Sequence, residues 1–186
     1  MSNCAAFPDA GGIRPIKYHE GVLSLIDQRL LPTEEVWLEY TDYQAVAEAI
    51  RSMVVRGAPA IGVTAAYGAL FGARAIDTDN YAAFVTEFDQ VCELLGATRP
   101  TAVNLFWALD RMKSLVRANA NQPVANLKIG LEYEAMAINE EDIRINMNMG
   151  RHGAALLPDK VRILTHCNAG ALATGGYGTA LGVIRA

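Results

Sequence analysis

The sequence predicts a mixed α/β fold. Residues 1–157 form an α+β domain of a small antiparallel sheet plus helices, and residues 158–186 open a parallel α/β domain that stops part-way. Three observations predict this. Short runs of β-formers separated by turn residues fill the first forty positions. Apolar residues at 3.6-residue spacing then dominate to about Arg117. Near the end, a short apolar run leads through a glycine-rich loop into another helical segment.

In the first part, Ile16 to Tyr18, Val22 to Ile26 and Val36 to Tyr40 are the strands. His19-Glu20-Gly21 and a stretch ending in Leu31-Pro32-Thr33 supply the turns. Thr41 with Gln44 reads as a capping box opening a helix over Ala45 to Met53. After a break at Arg56-Gly57-Ala58, Pro59 opens an apolar helix. Asn80 caps a helix with a stripe of Tyr81, Phe84, Val85, Phe88, Cys92 and Leu95. Ala102, Leu105, Phe106, Leu109, Met112 and Val116 repeat the pattern, and Asn119 to Pro123 is a loop. Ile143, Ile145, Met147 and Met149 alternate as a strand would. However, Asn139-Glu140-Glu141-Asp142 reads as a helix start, with acids at the positive end of the dipole, so a helix is expected. Val161 to Thr165 is a short buried strand feeding a loop and a helix. That is the opening of a βαβ unit, which needs at least one more parallel strand.

Composition narrows the function classes. The 186 residues carry 16 Lys+Arg against 20 Asp+Glu, a net charge of −4. They are 52% hydrophobic and 19% charged, against roughly a quarter charged in an average soluble domain. A disordered chain is excluded. With no basic stripe to displace counterions, no nucleic-acid partner is expected. Low charge also implies more buried surface than one such chain covers alone. Cys4, Cys92 and Cys167 are widely spaced without a C-x-x-C, which indicates neither a disulfide framework nor a zinc site. No secretory signal pattern is visible at the start. The uncharged stretch Gly57 to Ala73, with Gly68-x-x-x-Gly72, is short for a membrane span of about 20 residues and rich in Ala and Gly. A buried core helix, no membrane partner and a cytoplasmic protein are expected.

Chemistry concentrates at three places. Arg56-Gly57-Ala58-Pro59 sets an arginine before a proline-opened helix, whose free N–H groups can point at an anion. The macrodipole disfavours an arginine there unless an anion sits between them, and the guanidinium fork suits phosphate. The alternative is an Arg56 that caps a neighbouring carbonyl or pairs with an acid. Thr98-Arg99-Pro100-Thr101 repeats the arrangement and makes a shared anion site more credible. No P-loop spacing occurs, so ATP is not expected. The third place is His166-Cys167-Asn168-Ala169-Gly170, at the carboxyl end of the expected strand. Turn and helix-start N–H groups there can stabilise a thiolate, which would let Cys167 act as general acid/base or nucleophile. Its alternative is an inert buried thiol, which Cys92 fits well. His166, adjacent in a strand, faces away from Cys167 and, like His152, reads as structural. The three histidines have no metal-ligand spacing. Gly176-x-Gly178-x-x-x-Gly182 is one residue longer than the dinucleotide fingerprint and starts too far from the strand, so NAD(P) is not expected.

Four ordered motifs together resemble a known family. They are Leu25-Ile26-Asp27-Gln28-Arg29-x-Leu31-Pro32, Val55-Arg56-Gly57-Ala58-Pro59-Ala60-Ile61-Gly62, Thr98-Arg99-Pro100-Thr101-Ala102-Val103-Asn104-Leu105, and Thr165-His166-Cys167-Asn168-Ala169-Gly170-Ala171-Leu172-Ala173-Thr174. From about Ile16 to Ala186 the chain resembles the methylthioribose-1-phosphate isomerases of methionine salvage. Their wider superfamily includes ribose-1,5-bisphosphate isomerase and the regulatory subunits of the translation-initiation nucleotide exchange factor.

The resemblance implies conversion of 5-methylthioribose 1-phosphate to 5-methylthioribulose 1-phosphate, an aldose–ketose isomerisation that needs no metal or redox cofactor. It implies that Arg56, Gly57, Ala58 and Arg99 bind the phosphorylated sugar and that Cys167 is the catalytic cysteine. It also implies an N-terminal domain followed by a Rossmann-like domain, and a homodimer. Family members run well beyond residue 186 and carry a catalytic aspartate there, whereas no acid follows Cys167 here. The expectation is therefore an N-terminal portion, broken inside a βα unit and inactive alone. A non-catalytic regulatory subunit on the same fold and ribose-1,5-bisphosphate isomerase are the alternatives.

Overall fold

The computed structural model describes residues 13–186; Cys4 lies outside the described residues. Strands β1 (Ile16–His19), β2 (Val22–Ile26) and β3 (Trp37–Tyr40) form one antiparallel sheet in the order β1-β2-β3. Ile16 faces Leu25, and Leu25 faces Leu38. Ile16, Leu23 and Leu25 are buried on the helix-facing side. The β1–β2 hairpin closes through two residues, Glu20 and Gly21, both with positive φ (48° and 85°). That backbone matches the right-handed twist of the flanking strands. All three strands fall where β-former runs predict them, β2 without change and β1 and β3 each with one boundary shifted by one residue.

Six helices follow among the described residues: α1 (Tyr43–Arg51), α2 (Ala58–Ala75), α3 (Tyr81–Gly96), α4 (Val103–Ala118), α5 (Val124–Ala154) and α6 (Ala180–Arg185). The capping-box reading of α1 needs correction. Asp42, not Thr41, is the N-cap, its Oδ2 accepting from the Ala45 N–H at 2.8 Å. A short carboxylate one residue later does the same work and faces the dipole favourably. Asn80 caps α3 as expected, accepting from the Ala83 N–H at 3.0 Å.

Helix α2 is the axis of the domain. Every residue from Ala60 to Ala73 is buried, which explains why its sequence is apolar all round instead of striped. Small residues let neighbours approach. A Cβ on Gly72 would lie 2.2 Å from Val91 Cγ1 of α3, and one on Gly62 would lie 2.7 Å from the Asn104 carbonyl oxygen of α4. Tyr67 of α2 stacks on Tyr18 of β1 at 4.7 Å between ring centroids, joining sheet to helices.

Helix α5 runs unbroken over 31 residues. The helix reading of Ile143 to Met149 holds, but Asn139–Asp142 lies mid-helix and starts nothing. The segment from Val161 to Thr165 is not a strand. Residues 161–168 are exposed, with Leu164 97% accessible. A parallel strand is stabilised by ladders and burial on both faces. Among the described residues the one sheet is β1-β2-β3, and this segment does not join it.

Candidate active site

The Arg56 turn is built by Gly57, the N-cap of α2, at φ 95°. The Ile61 N–H closes the first helical bond on the Gly57 carbonyl. The N–H groups of Ala58 and Ala60 have no helical acceptor, and Pro59 carries none. Arg56 and Ala58 are exposed. Among the described residues Arg56 makes no ion pair or side-chain hydrogen bond, so neither a carbonyl-capping nor an acid-pairing role is seen there.

The chain from Ala169 to Leu181 folds back onto this turn. Ala173, in a single 3-10 turn (Ala171–Ala173), packs on Gly57 so closely that a Gly57 Cβ would sit 2.4 Å from Ala173 Cα. Gln28, just after β2, donates from Nε2 to the Leu172 carbonyl at 2.7 Å, and its own N–H bonds the Val54 carbonyl at 3.0 Å. Thr174, fully buried, organises the loop: its Oγ1 donates to the Ala171 carbonyl and accepts from the N–H groups of Gly176 and Gly178. Asp142 of α5 accepts from the Gly175 N–H at 2.6 Å through Oδ2, and from Asn146 Nδ2 at 3.1 Å through Oδ1. Burial pushes the Asp142 carboxyl above the ordinary aspartate range, and the Gly175 and Asn146 donors oppose that shift.

These contacts border an open cleft of about 490 Å³. Its polar lining is Gln28, Arg56, Cys167, Asn168 and Arg185, and Leu31, Leu172 and Leu181 supply part of the apolar wall. Among the described residues two arginines face it and no carboxylate does. The structure thus brings Arg56 and Cys167 to one cavity from opposite ends of the sequence. Cys167 is exposed and adopts φ 72°, uncommon for a residue with a side chain. Cys92 is buried on α3, and burial pushes its thiol up to about 12.

Arg99 is placed differently. It sits in the α3–α4 turn, where its carbonyl accepts from the Ala102 N–H at 3.0 Å. Pro100 lies in that turn and does not open a helix; α4 begins at Val103 behind an Ala102 cap. This corrects the reading of a second proline-opened helix. Arg99 does not line the Arg56–Cys167 cavity, and it too has no carboxylate partner among the described residues. A neighbouring cavity of about 450 Å³ is lined by Pro59, Val103, Trp107 and Ile145, with Glu141 and Asp142 as its charged groups.

A family model described as the initiation factor 2 subunit family matches residues 54–186. The chain belongs to that family. A methylthioribose-1-phosphate isomerase of Syntrophotalea carbinolica is 64% identical over 174 residues, covering 94% of this chain and 51% of that protein. One of Geobacter sulfurreducens is 54% identical over 173 residues, covering 93% and 50%. The crystal structure of 5-methylthioribose 1-phosphate isomerase from Pyrococcus horikoshii superposes with a TM-score of 0.84 at 44% identity, covering 92% of this chain and 48% of that one. The translation initiation factor eIF-2B subunit delta of A. fulgidus gives 0.80 at 39% identity, covering 93% and 50%. The chain spans about half the length of these family members.

Three contributors escape the motif reading. Gln28 lies inside the first motif, but its bond to Leu172 spans 144 positions. Thr174 ends the last motif, and its hydroxyl bonds are local enough to be anticipated from a buried threonine among glycines. Asp142 carries no local signal, because its partner Gly175 is 33 residues away.

Proposed function

We propose that this chain supplies the phosphate-binding and cysteine-bearing half of an aldose–ketose isomerase site. The substrate is 5-methylthioribose 1-phosphate and the product 5-methylthioribulose 1-phosphate, in methionine salvage. The observation that carries this reading is the shared cavity, in which Arg56, the residue just before the α2 N-cap, and Cys167 face one volume without a carboxylate among the described residues. The activity that names the isomerase relatives supports it.

In this reading the guanidinium of Arg56 and the free N–H group of the exposed Ala58 hold the phosphate beside Gly57, and Arg99 contacts the substrate from the α3–α4 turn, outside the Arg56–Cys167 cavity. The reaction opens the ring and moves one hydrogen from C2 to C1, so it is balanced without an external oxidant or reductant. Cys167 exchanges a proton or stabilises the developing charge, in a site whose apolar walls strengthen both interactions. The second acid/base group is an aspartate outside these 186 residues, in the rest of a Rossmann-like domain that residues 158–186 begin. The 186-residue chain alone does not turn over substrate. The homodimer implied by the resemblance fits the exposed Val103, Phe106, Trp107 and Ile145, and the protein acts in the cytoplasm. Among the described residues no helix is long and apolar enough to cross a membrane.

Two alternatives are weaker. The likeness to an exchange-factor subunit is real, but identity to the isomerases is higher. Ribose 1,5-bisphosphate needs a second cationic pocket, and the neighbouring cavity presents Trp107 and Ile145 with Glu141 and Asp142. A substrate panel on the full-length protein tests this directly. Turnover of methylthioribose 1-phosphate over ribose 1,5-bisphosphate is expected, and the reverse preference would refute the assignment.

A further inference from the structure

We propose that Asp142 is a positioning residue for Cys167, acting as a latch between α5 and the glycine-rich loop through the Gly175 N–H. This rests on the isomerase reading only for its effect on turnover; the latch itself is a statement about this chain.

Residues 161–168 are exposed and outside any ladder, so the position of Cys167 is set by the segment from Ala169 to Leu181. That segment is held at three levels. Ala169 accepts through its carbonyl from the N–H groups of Thr179 and Leu181, at 2.9 and 3.2 Å. Thr174 gathers the Gly176 and Gly178 N–H groups inside the loop. Asp142 and Gln28 then tie the loop to the rest of the domain, from α5 and from the end of β2. Between these two ties, Ala173 presses on Gly57. Releasing the Asp142 tie frees the loop on the α5 side and lets Cys167 drift from Arg56.

The chemistry of the tie calls for a carboxylate. Both Asp142 oxygens accept, one from Gly175 N–H and one from Asn146 Nδ2. An asparagine offers one acceptor, and its NH₂ would meet one of those donors head-on. Glu141, the other charged group on the adjoining cavity, is itself held by Arg111 at 2.5 Å. The facing residues of α2 and α4 there are Pro59, Gly62, Val63, Val103, Asn104 and Trp107, none of them charged. The loop side offers a backbone N–H.

The test uses full-length protein labelled with [15N]glycine, with Asp142→Asn, Thr174→Val and Thr174→Ser variants. Expected for Asp142→Asn are an upfield move of the Gly175 amide proton, a Cys167 alkylation rate changed at least fivefold, and a kcat at least tenfold lower with KM changed less. Thr174→Val should alter alkylation likewise, and Thr174→Ser should restore it. A folded Asp142→Asn protein with unchanged Gly175 resonance or unchanged Cys167 alkylation would overturn the latch. If Asp142→Asn does not fold, Asp142→Ala, which also removes the acceptor for the Gly175 N–H, is read in the same way, and an unchanged Gly175 resonance or unchanged Cys167 alkylation in it overturns the latch. Absence of isomerisation in the unmodified protein would refute the functional reading, while the resonance and alkylation results still judge the latch.

Discussion

Gly57 and Ala173 touch through their backbones: a Cβ on Gly57 would come within 2.4 Å of both Ala173 Cα and Ala173 Cβ. Two constraints therefore fall on one glycine. Its φ of 95° is a conformation side chains rarely adopt, and its missing side chain is the space the Cys167 loop occupies.

Gly57→Ala is predicted to destabilise the protein by about 2–4 kcal/mol, combining backbone strain with overpacking. Denaturant unfolding checks it. The double variant Gly57→Ala, Ala173→Gly should recover only a small part, because the Ala173 Cα at 2.4 Å and its carbonyl oxygen at 2.6 Å still meet the new Cβ and the strain at φ 95° stays. Full recovery would mean that strain contributes nothing.

Arg56 is exposed and unpaired among the described residues, so its removal should leave the fold intact. Arg56→Ala is expected to change unfolding free energy by no more than about 0.5 kcal/mol. In the full-length enzyme it should weaken substrate binding by about 10–100-fold, the range of a charge-assisted hydrogen bond to phosphate. Isothermal titration with the sugar phosphate measures this. A large loss of stability would instead mark Arg56 as a structural residue.

The two described cysteines should differ sharply in reactivity. Cys167 is exposed, whereas Cys92 is buried with its thiol pushed up to about 12. Iodoacetamide at pH 8, followed by peptide mapping, should label the Cys167 peptide at least a hundredfold faster than the Cys92 peptide. Similar rates would mean that α3 opens readily.

Stability should fall on the acid side through Glu132. The Tyr18 hydroxyl, donating at 2.5 Å, and Arg74 at 2.7 Å hold the Glu132 carboxyl below its ordinary value of 4.5. The unfolded chain then binds the proton first, so this contribution is present above pH 4.5 and is lost as pH falls through the lower folded value. Glu132→Gln should make the acid limb of the stability–pH curve shallower. Asp142, on the same helix, acts in the opposite sense. Its folded value is raised above 3.8 by burial, so its ionisation lowers stability as pH rises through that value.

The sheet and α2 to α4 were legible because their signals are local. Glu20-Gly21 marks a hairpin, Asn80 marks a cap, and the Phe84, Phe88 and Leu95 stripe marks a buried face. Asp42 and Thr41 are adjacent and both good capping residues, so the sequence alone does not decide between them. Val161 to Thr165 has strand composition, but a strand exists only with a partner, and composition says nothing of partners. In the candidate site, Arg56 stands out locally beside a helix start and Cys167 within a motif. That these two, and not Arg56 and Arg99, share a cavity is a long-range fact that no local signal carries. The site was not legible at Asp142, whose acidity reads as a helix-start signal until Gly175 is seen against it.

The most direct measurement is the isomerisation rate of 5-methylthioribose 1-phosphate by the full-length protein in three forms: unmodified, Cys167→Ser and Cys92→Ser. The account predicts turnover by the unmodified protein, a loss of about 10²–10⁴-fold for Cys167→Ser, and a rate near the unmodified one for Cys92→Ser. Equal effects of the two substitutions, or full activity in Cys167→Ser, would contradict it.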